Sequence, residues 1–219
     1  MKIYTGTCAG IKLEKVKRNN LGIMISPSPT FEPRKAFIEE AEGIIKNKIP
    51  CAFDNGAFQA HAKGYPFREE AFWNCLDKCY SLGIKLDFIV CPDIVMGGKE
   101  SLDFSVEWAR TKLKSAPNLA LAVQDGIEPN IQDLDKYVMS LYDLIFVGGS
   151  VEWKWKTADK WVKFAHRFDK KVHIGQVGQA RYLRFAEHIG ADSVDSTSIA
   201  RNNSFGIIEE YLGKELFDK

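Results

Sequence analysis

The stretch Leu144–Ser150, which reads LIFVGGS, decides the fold predicted for this chain. A continuous apolar run ends in two glycines and a serine, and a helical pattern follows. Strands that are covered on both faces have continuous rather than alternating apolar runs, so this strand is predicted to lie in a parallel sheet. The stretch is therefore typical of a βα unit, with its polar residues in the loop after the strand.

Seven further runs of β-branched and apolar residues occur, and helical patterns separate most of them. The eight predicted strands span residues 2–5, 21–26, 51–54, 86–91, 119–124, 144–147, 172–176 and 193–195. This alternation predicts a compact α/β fold, a (β/α)8 barrel, and 219 residues is near the small end for that fold. An open doubly wound sheet is the rival, but it would concentrate its site at one switch point. Polar clusters follow five of the strands, which favours the closed barrel.

The connections are predicted mainly as amphipathic helices. Helical patterns span residues 32–48, 67–82, 101–114, 131–141, 157–168, 179–189 and 205–216. Residues 8–20 are basic and poorly amphipathic, so we expect an irregular first connection, and residues 26–30 are predicted to form a loop on the functional face. No linker or repeat divides the chain, so we expect a single barrel domain over residues 1–219.

Composition excludes several classes of function. The formal net charge is +1, so no global positive field indicates a nucleic-acid partner, although a local basic surface is compatible with it. The five cysteines are scattered and form no CxxC pair, which predicts reduced thiols, no structural metal and no metal cofactor. No run reaches the roughly 20 apolar residues of a membrane span. We therefore expect a soluble, cytoplasmic protein.

Three carboxylates follow separate predicted strands. Asp54, Asp93 and Asp195 would converge with Gln124 and the Gly148-Gly149 pair, because the loops after the strands of a parallel barrel open on one face. Such a set suits a flat, polar heterocycle and a carboxylate nucleophile.

Asp195 and Asp54 each have two interpretations. A carboxylate at a barrel mouth such as Asp195 can attack a sugar carbon from which a base departs, as in retaining glycosidases, but Asp before a helix is also a common N-cap. Asp54 could act as general acid or base, whereas Asp-Asn-Gly is also common turn chemistry.

The middle clusters favour recognition of a base. Asp93 can accept two parallel N–H bonds, such as those on the N1–H and amino edge of guanine. Gln124 and a backbone N–H near Gly149 could donate to a base carbonyl, or Gln124 could pack a loop and the glycines form a plain turn or phosphate site. The Gly175–Gln179 segment is the generic alternative, a phosphate-binding loop.

The segment Trp153–Lys156 interleaves aromatic and basic residues. We interpret it as a loop on the active face that contacts nucleic acid, against the alternative that the aromatic residues face the core. The basic residues between Lys12 and Arg18 form either a solvated face or a phosphate contact. His61 is interpreted as a pocket-rim residue, and the other histidines as structural or surface residues.

In order along the chain, these clusters resemble the motifs of the tRNA-guanine transglycosylase family, from about residue 51 to 203. The matching segments are Asp54–Gln59 (family motif Asp-Ser-Gly-Gly-Phe-Gln), Asp93, Val123–Gly126, Gly148-Gly149, Gln176–Gly178, Gly190–Asp195 and Arg201-Asn202. Asn55 and Ala57 depart from the first motif. The family's Cys-rich zinc subdomain is missing after the last strand, and the chain is similar to a compact branch, from phages and bacterial DNA-modification clusters, that puts 7-deazaguanines into DNA.

The resemblance implies exchange of guanine for a 7-deazaguanine such as preQ0, without a cofactor. Asp195 would be the nucleophile and Asp54 the general acid or base. It implies DNA as the polymer, flipped or single-stranded at the target, with tRNA less expected. An accessory protein or a homodimer would fit, and a phage-encoded enzyme would act in the host cytoplasm.

The alternatives are an RNA-directed enzyme of the same mechanism, a catalytically silent nucleic-acid-binding barrel and a phosphosugar enzyme. The expected substrate-binding residues are Asp93, Gln124, Gly148, Gly149, Phe58 and Asn55, and the expected nucleic-acid contacts are Lys154, Trp155, Lys156 and Arg201.

Overall fold

The computed structural model describes residues 1–27 and 35–213, and these form a closed, all-parallel, eight-stranded barrel. The strands are β1 (Lys2–Gly6), β2 (Gly22–Ile25), β3 (Cys51–Phe53), β4 (Leu86–Val90), β5 (Leu119–Val123), β6 (Leu144–Val147), β7 (Lys171–Ile174) and β8 (Ser193–Ser196). Each strand pairs with the next in the sequence, and β8 closes on β1 with Tyr4 opposite Asp195. The predicted (β/α)8 barrel is confirmed.

Helices connect the strands on the outside of the barrel. They are α1 (Ile11–Arg18), α2 (Lys35–Lys46), α3 (Ala57–His61), α4 (Glu69–Ser81), α5 (Gly98–Arg110), α6 (Lys136–Met139), α7 (Val151–Arg167), α8 (Ala180–His188), α9 (Thr197–Arg201) and α10 (Gly206–Gly213). A 3₁₀ helix, Glu128–Asp133, precedes α6. The start predicted for α2 at residue 32, most of the predicted 26–30 loop and the end predicted for α10 at residue 216 lie outside the described residues.

Two predictions about the connections were wrong. The first connection is a regular helix, because Leu13 and Val16 of α1 are buried against the barrel even though the rest of the helix is basic. Helix α7 begins at Val151, well before the predicted residue 157, since Ser150 occupies the N-cap position and its hydroxyl accepts a hydrogen bond from the Trp153 N–H. The segment Trp153–Lys156 is therefore helical rather than a loop.

Residues alternate between two apolar layers along the strands. The larger layer lies between the barrel and the helices, and the smaller one fills the barrel interior with Tyr4, Met24, Ala52, Phe88, Val90, Ala120 and Leu144. In β6, Ile145 and Val147 face the helices while Leu144 and Phe146 face inward. The continuous apolar runs thus arise because both faces of each strand are covered.

Two further observations concern the state of the cysteine thiols and the length and polarity of the helices. All five cysteines are free, and only Cys75 is not fully buried. Among the helices that the structure describes, none is both long and apolar enough to cross a membrane.

Candidate active site

One cavity of about 990 Å³ opens at the carboxyl ends of the strands. The side chains of Asp54, Asp93 and Asp195 all line it, together with Gln124 and the Gly148-Gly149 pair. These residues come from the ends of five different strands, so only barrel closure brings them together. The sequence-predicted convergence of the three carboxylates is what the structure shows.

Asp195 lies within β8, on the inner face of the barrel, and is buried. Its Oδ1 accepts hydrogen bonds from Nε2 of His173, at 3.1 Å, and from the backbone N–H of Gln176, at 3.2 Å. Helix α9 begins after Ser196, so Asp195 does not occupy its N-cap position. The alternative interpretation of Asp195 as a helix cap is therefore wrong.

Gln176 has an unusual backbone conformation. Its φ is 59°, in the left-handed region that non-glycine residues seldom adopt. This conformation turns the Gln176 N–H toward the Asp195 carboxylate. Strained backbone of this kind persists where the surrounding structure requires it, and functional sites are a common place for it.

Asp54 directly follows β3 and is half-buried at the cavity wall. Burial raises the pKa of its carboxyl to about 6, a hydrogen bond from the Ser26 hydroxyl (2.8 Å) opposes this, and the nearby charge of Asp195 adds to it. Gly56 has a φ of 77°, and in this turn it is the Asn55 side chain that accepts from the backbone N–H two residues on, that of Ala57. Asp54 lines the cavity.

Asp93 is buried and held at both oxygens. Its Oδ1 accepts a hydrogen bond from Nδ2 of Asn55 at 2.6 Å, and its Oδ2 accepts one from Nε2 of Gln124 at 2.7 Å. Burial raises the pKa of Asp93 to about 6, the Asn55 hydrogen bond opposes this, and the charge of Asp54 adds to it. Each oxygen keeps a lone pair beyond its protein bond, so two parallel N–H groups of a ligand could still be accepted.

Asn55 and Gln124 support Asp93, which corrects the expectation that they bind the base directly. The Asn55 amide donates to Asp93 and to the Cys91 carbonyl (2.8 Å), and its oxygen accepts from the Ala57 N–H. The Gln124 amide donates to Asp93 and to the Ile94 carbonyl at 2.8 Å, which occupies both of its N–H bonds. Neither amide therefore has a free N–H for a base carbonyl.

The Gly148-Gly149 pair and the Gly175–Gln179 segment play different structural roles. Gly149 has a φ of 77°, and a side chain there would meet Asp125 and the Trp153 ring, so the tight turn into α7 requires glycine. In the Gly175–Gln179 segment, the N–H groups of Gly175, Gln176 and Val177 bond to Val147 O, Asp195 Oδ1 and Asp195 O. Three successive N–H groups are thus committed within the protein, which argues against a phosphate cradle.

Two of the expected nucleic-acid contacts lie wholly or partly against the protein. Lys154 is only 1% exposed, and its Nζ donates to the Gly175 carbonyl at 2.5 Å. Trp155 stacks on Tyr182 of α8, with ring centroids 4.3 Å apart and an interplanar angle of 2°. The assignment of Lys154 was wrong because helix α7 turns its side chain toward the protein, whereas Trp155 is half-buried and its contact with nucleic acid stays a prediction.

The remaining predicted contacts lie where a polymer could reach them. Lys156 is exposed on α7, and Arg201 of α9 is exposed and lines the cavity. Phe58 of α3 also lines the cavity and is 51% exposed, so its ring is free to contact a ligand. His61 is exposed on α3 but does not line the cavity, so its interpretation as a rim residue was wrong.

His173 contacts Asp195 and is a residue that the sequence reasoning did not place at the candidate site. Its ring is fully buried in the barrel interior and stacks on Phe146, with centroids 4.9 Å apart and planes 17° apart. Phe146 in turn lines the cavity. Strand parity could have found His173, since a polar residue between Val172 and Ile174, which are both outward, must point into a closed barrel.

The described residues contain no group of three or more His, Cys, Asp or Glu side chains placed to hold a metal ion. A scan of the chain against protein-family models found no match, and a search of curated proteins found none either.

Proposed function

We propose that this protein exchanges guanine in a nucleic acid for a 7-deazaguanine base through a covalent aspartyl–sugar intermediate. The observation that carries the proposal is the arrangement of Asp54, Asp93 and Asp195 around one cavity, with Asp195 anchored through Oδ1 alone among the residues that the structure describes. Three carboxylates in separate roles are what a nucleophile, a proton carrier and a guanine reader require.

Asp195 is the nucleophile of the proposed reaction. One of its oxygens attacks C1′ of the sugar, and the C1′–N9 bond breaks with its electron pair leaving on guanine. The incoming base then attacks C1′ through N9 and displaces Asp195. Retention at C1′ follows from the two successive displacements.

Asp54 carries the proton between the two half-reactions. A pKa of about 6 leaves a useful fraction of both protonation states near neutral pH. The protonated carboxyl neutralises the departing guanine, and the resulting carboxylate takes the N9 proton of the incoming 7-deazaguanine. Protons and electrons therefore balance over the two half-reactions without a cofactor.

Asp93 reads the guanine edge. Hydrogen bonds from Asn55 and Gln124 orient its two oxygens. These oxygens match the N1–H and 2-amino groups that guanine and 7-deazaguanines share. A purine that lacks these donors would bury the carboxylate charge of Asp93 with only its two protein hydrogen bonds, which gives discrimination against it. The exposed ring of Phe58, which lines the cavity, would stack on the base.

DNA is the polymer that we propose, on the resemblance to the compact DNA-modifying branch, and RNA is the alternative. The three carboxylates lie inside a cavity, so a base stacked in a duplex cannot reach them. The target guanine must be flipped out or lie in a single strand. Arg201 and Lys156 are the exposed cations proposed to hold the phosphates.

The test is incorporation of labelled preQ0 or labelled guanine into single-stranded DNA, duplex DNA and tRNA in parallel. Asp195→Asn should lower incorporation at least about a thousandfold. Asp192→Asn is the matched control, because Asp192 precedes β8 at the opposite end of the barrel, where it accepts from the Val172 N–H. Incorporation that survives in Asp195→Asn, or polymer binding with no exchange by the unmutated protein, would overturn the proposal.

A further inference from the structure

Both ring nitrogens of His173 have partners on β8. Nδ1 lies 2.9 Å from Oγ of Ser193, and Nε2 lies 3.1 Å from Oδ1 of Asp195. His173 and Ser193 are directly paired in the β7–β8 register, and Asp195 is the next inward residue along β8. The ring is fully buried, with Phe146, Phe88 and Tyr4 around it.

These partners determine the tautomer of the ring. An ionised carboxylate only accepts hydrogen bonds. Nε2 must therefore carry a hydrogen and donate a hydrogen bond to Asp195. Nδ1 of the neutral ring is then an acceptor, and the Ser193 hydroxyl is the donor that it requires. The Ser193 hydroxyl, which can donate or accept, is therefore compatible with the tautomer whose Nε2–H faces Asp195.

Both donors to Asp195 reach the same oxygen. His173 Nε2–H and the Gln176 N–H bond to Oδ1, and among the described residues no side-chain or backbone donor reaches Oδ2. A side chain at residue 175 would also lie 3.4 Å from Oδ1, which places Oδ1 against the β7 wall. Oδ2 is therefore the oxygen free to react.

We propose that His173 is a positioning residue, hydrogen-bonded to Ser193, that anchors Oδ1 of Asp195 so that Oδ2 attacks the sugar. This inference rests on the proposed function. The bond formed is Oδ2–C1′, and the bond broken is C1′–N9, whose electron pair leaves with guanine and is neutralised by the proton of Asp54. His173 keeps its own proton throughout, because its role is to hold the carboxylate.

A measurement on the unmutated protein tests the hydrogen bond directly. The ¹⁵N chemical shifts of a histidine ring distinguish the two neutral tautomers and the imidazolium. The chain has four histidines, so the His173 signals are assigned as those missing from His173→Gln. We expect protonated Nε2 and bare Nδ1, and we expect Ser193→Ala to weaken that preference. A ring with bare Nε2 in the unmutated protein would overturn the proposal.

Kinetics of the covalent enzyme–DNA complex, followed on denaturing gels, separate positioning from a merely structural role. His173→Leu should slow formation of the complex about a hundredfold while KM for DNA changes little, because misplacing a reacting group lowers the chemical step. His173→Gln should retain at least about a tenth of the rate, since its terminal amide can donate from near the Nε2 position. Equal rates for His173→Leu and the unmutated protein would overturn this role alone, whereas no complex and no exchange in the unmutated protein would overturn the proposed function with it.

Discussion

The amide nitrogen of Asn55 lies 2.6 Å from Oδ1 of Asp93, so the loop after β3 holds a carboxylate that belongs to the loop after β4. The same nitrogen donates to the Cys91 carbonyl at 2.8 Å. One side chain thus joins two neighbouring βα loops and orients the group that we propose reads guanine. A buried hydrogen-bond network of this kind stabilises a protein only when each polar group in it has a hydrogen-bond partner.

Asn55→Ala should destabilise the protein by about 2–4 kcal/mol, because the substitution removes the Asn55 hydrogen bonds to Asp93 Oδ1, Cys91 O and Ala57 N. It should also weaken guanine binding, since Asp93 loses one of the bonds that orient it. Urea unfolding and calorimetric titration with guanine measure the two effects. Asn47→Ala is the control, because the Asn47 amide makes one local bond, to the Gly43 carbonyl, away from the site. Wild-type guanine affinity in Asn55→Ala would contradict the proposed support of Asp93.

Formation of the covalent complex should be fastest near pH 6. The pKa values of Asp54 and Asp93 are both raised to about 6, by burial first of all. Asp54 must be protonated to neutralise the departing guanine, so the rate falls as the pH rises above 6. Asp93 must be ionised to accept two N–H bonds, so the rate also falls as the pH drops below 6.

The rate of covalent-complex formation with DNA, measured in single-turnover experiments across the pH range, checks this expectation. The two carboxylates interact, so the two limbs belong to the pair rather than to either residue. Asp54→Asn should be slow and should lose the decline above pH 6, because no proton remains to be lost there. A rate that climbs steadily from pH 6 to pH 8 in the unmutated protein would rule out Asp54 as the acid.

Gly175→Ala should impair catalysis because the new methyl group would lie 2.7 Å from Cζ of Phe146 and 3.4 Å from Oδ1 of Asp195. The Phe146 ring would have to move from its position against His173. We expect a loss of about 1–3 kcal/mol in the free energy of unfolding and at least a tenfold slower formation of the covalent complex.

Gly178→Ala in the same loop is the matched control for Gly175→Ala. Its methyl group would find its nearest neighbour, Ser198 Oγ, at 3.6 Å, which is an ordinary contact. We expect a change of less than about 0.5 kcal/mol in stability. Equal effects of the two substitutions, measured by thermal unfolding and by the rate of complex formation, would refute the steric explanation.

Lys154→Met and Arg201→Ala should differ in how binding to DNA depends on salt. Arg201 is exposed at the cavity, so its loss should lower the slope of log Kobs against log salt by about 1. Lys154 is buried, and burial lowers its pKa despite the charges of Asp195 and Asp125, so Lys154→Met should leave the slope unchanged. Fluorescence anisotropy of a labelled single strand at several salt concentrations measures both slopes. A loss of slope in Lys154→Met as large as that in Arg201→Ala would contradict the burial argument.

Local pattern was sufficient for the architecture. The predicted strands agree with β1–β8 to within one or two residues at their ends, because continuous apolar runs are imposed by covering both faces of a parallel sheet. The three site carboxylates were also predictable. Each lies at or just beyond the carboxyl end of a strand, and in a closed parallel barrel that position determines the end of the barrel at which the residue lies.

The partners of the site residues were not predictable in the same way. Asn55 and Gln124 were expected to touch a base, yet their amides bond to Asp93, which lies 38 and 31 residues away along the chain. Lys154 was expected on a loop, but a serine cap extends α7 and turns its side chain inward. Choices of this kind depend on which groups lie within about 3 Å after folding.

By itself, the amino-acid sequence determined the closed barrel, the end at which a site could form and the acidic character of that site, since periodicity and strand-end position are properties of local sequence. Only the tertiary structure decided that His173 and Gln176 hold one oxygen of Asp195 and leave the other free. The physical reason is that hydrogen bonds are short and directional, and the residues that satisfy them are brought together by closure of the barrel rather than by proximity along the chain.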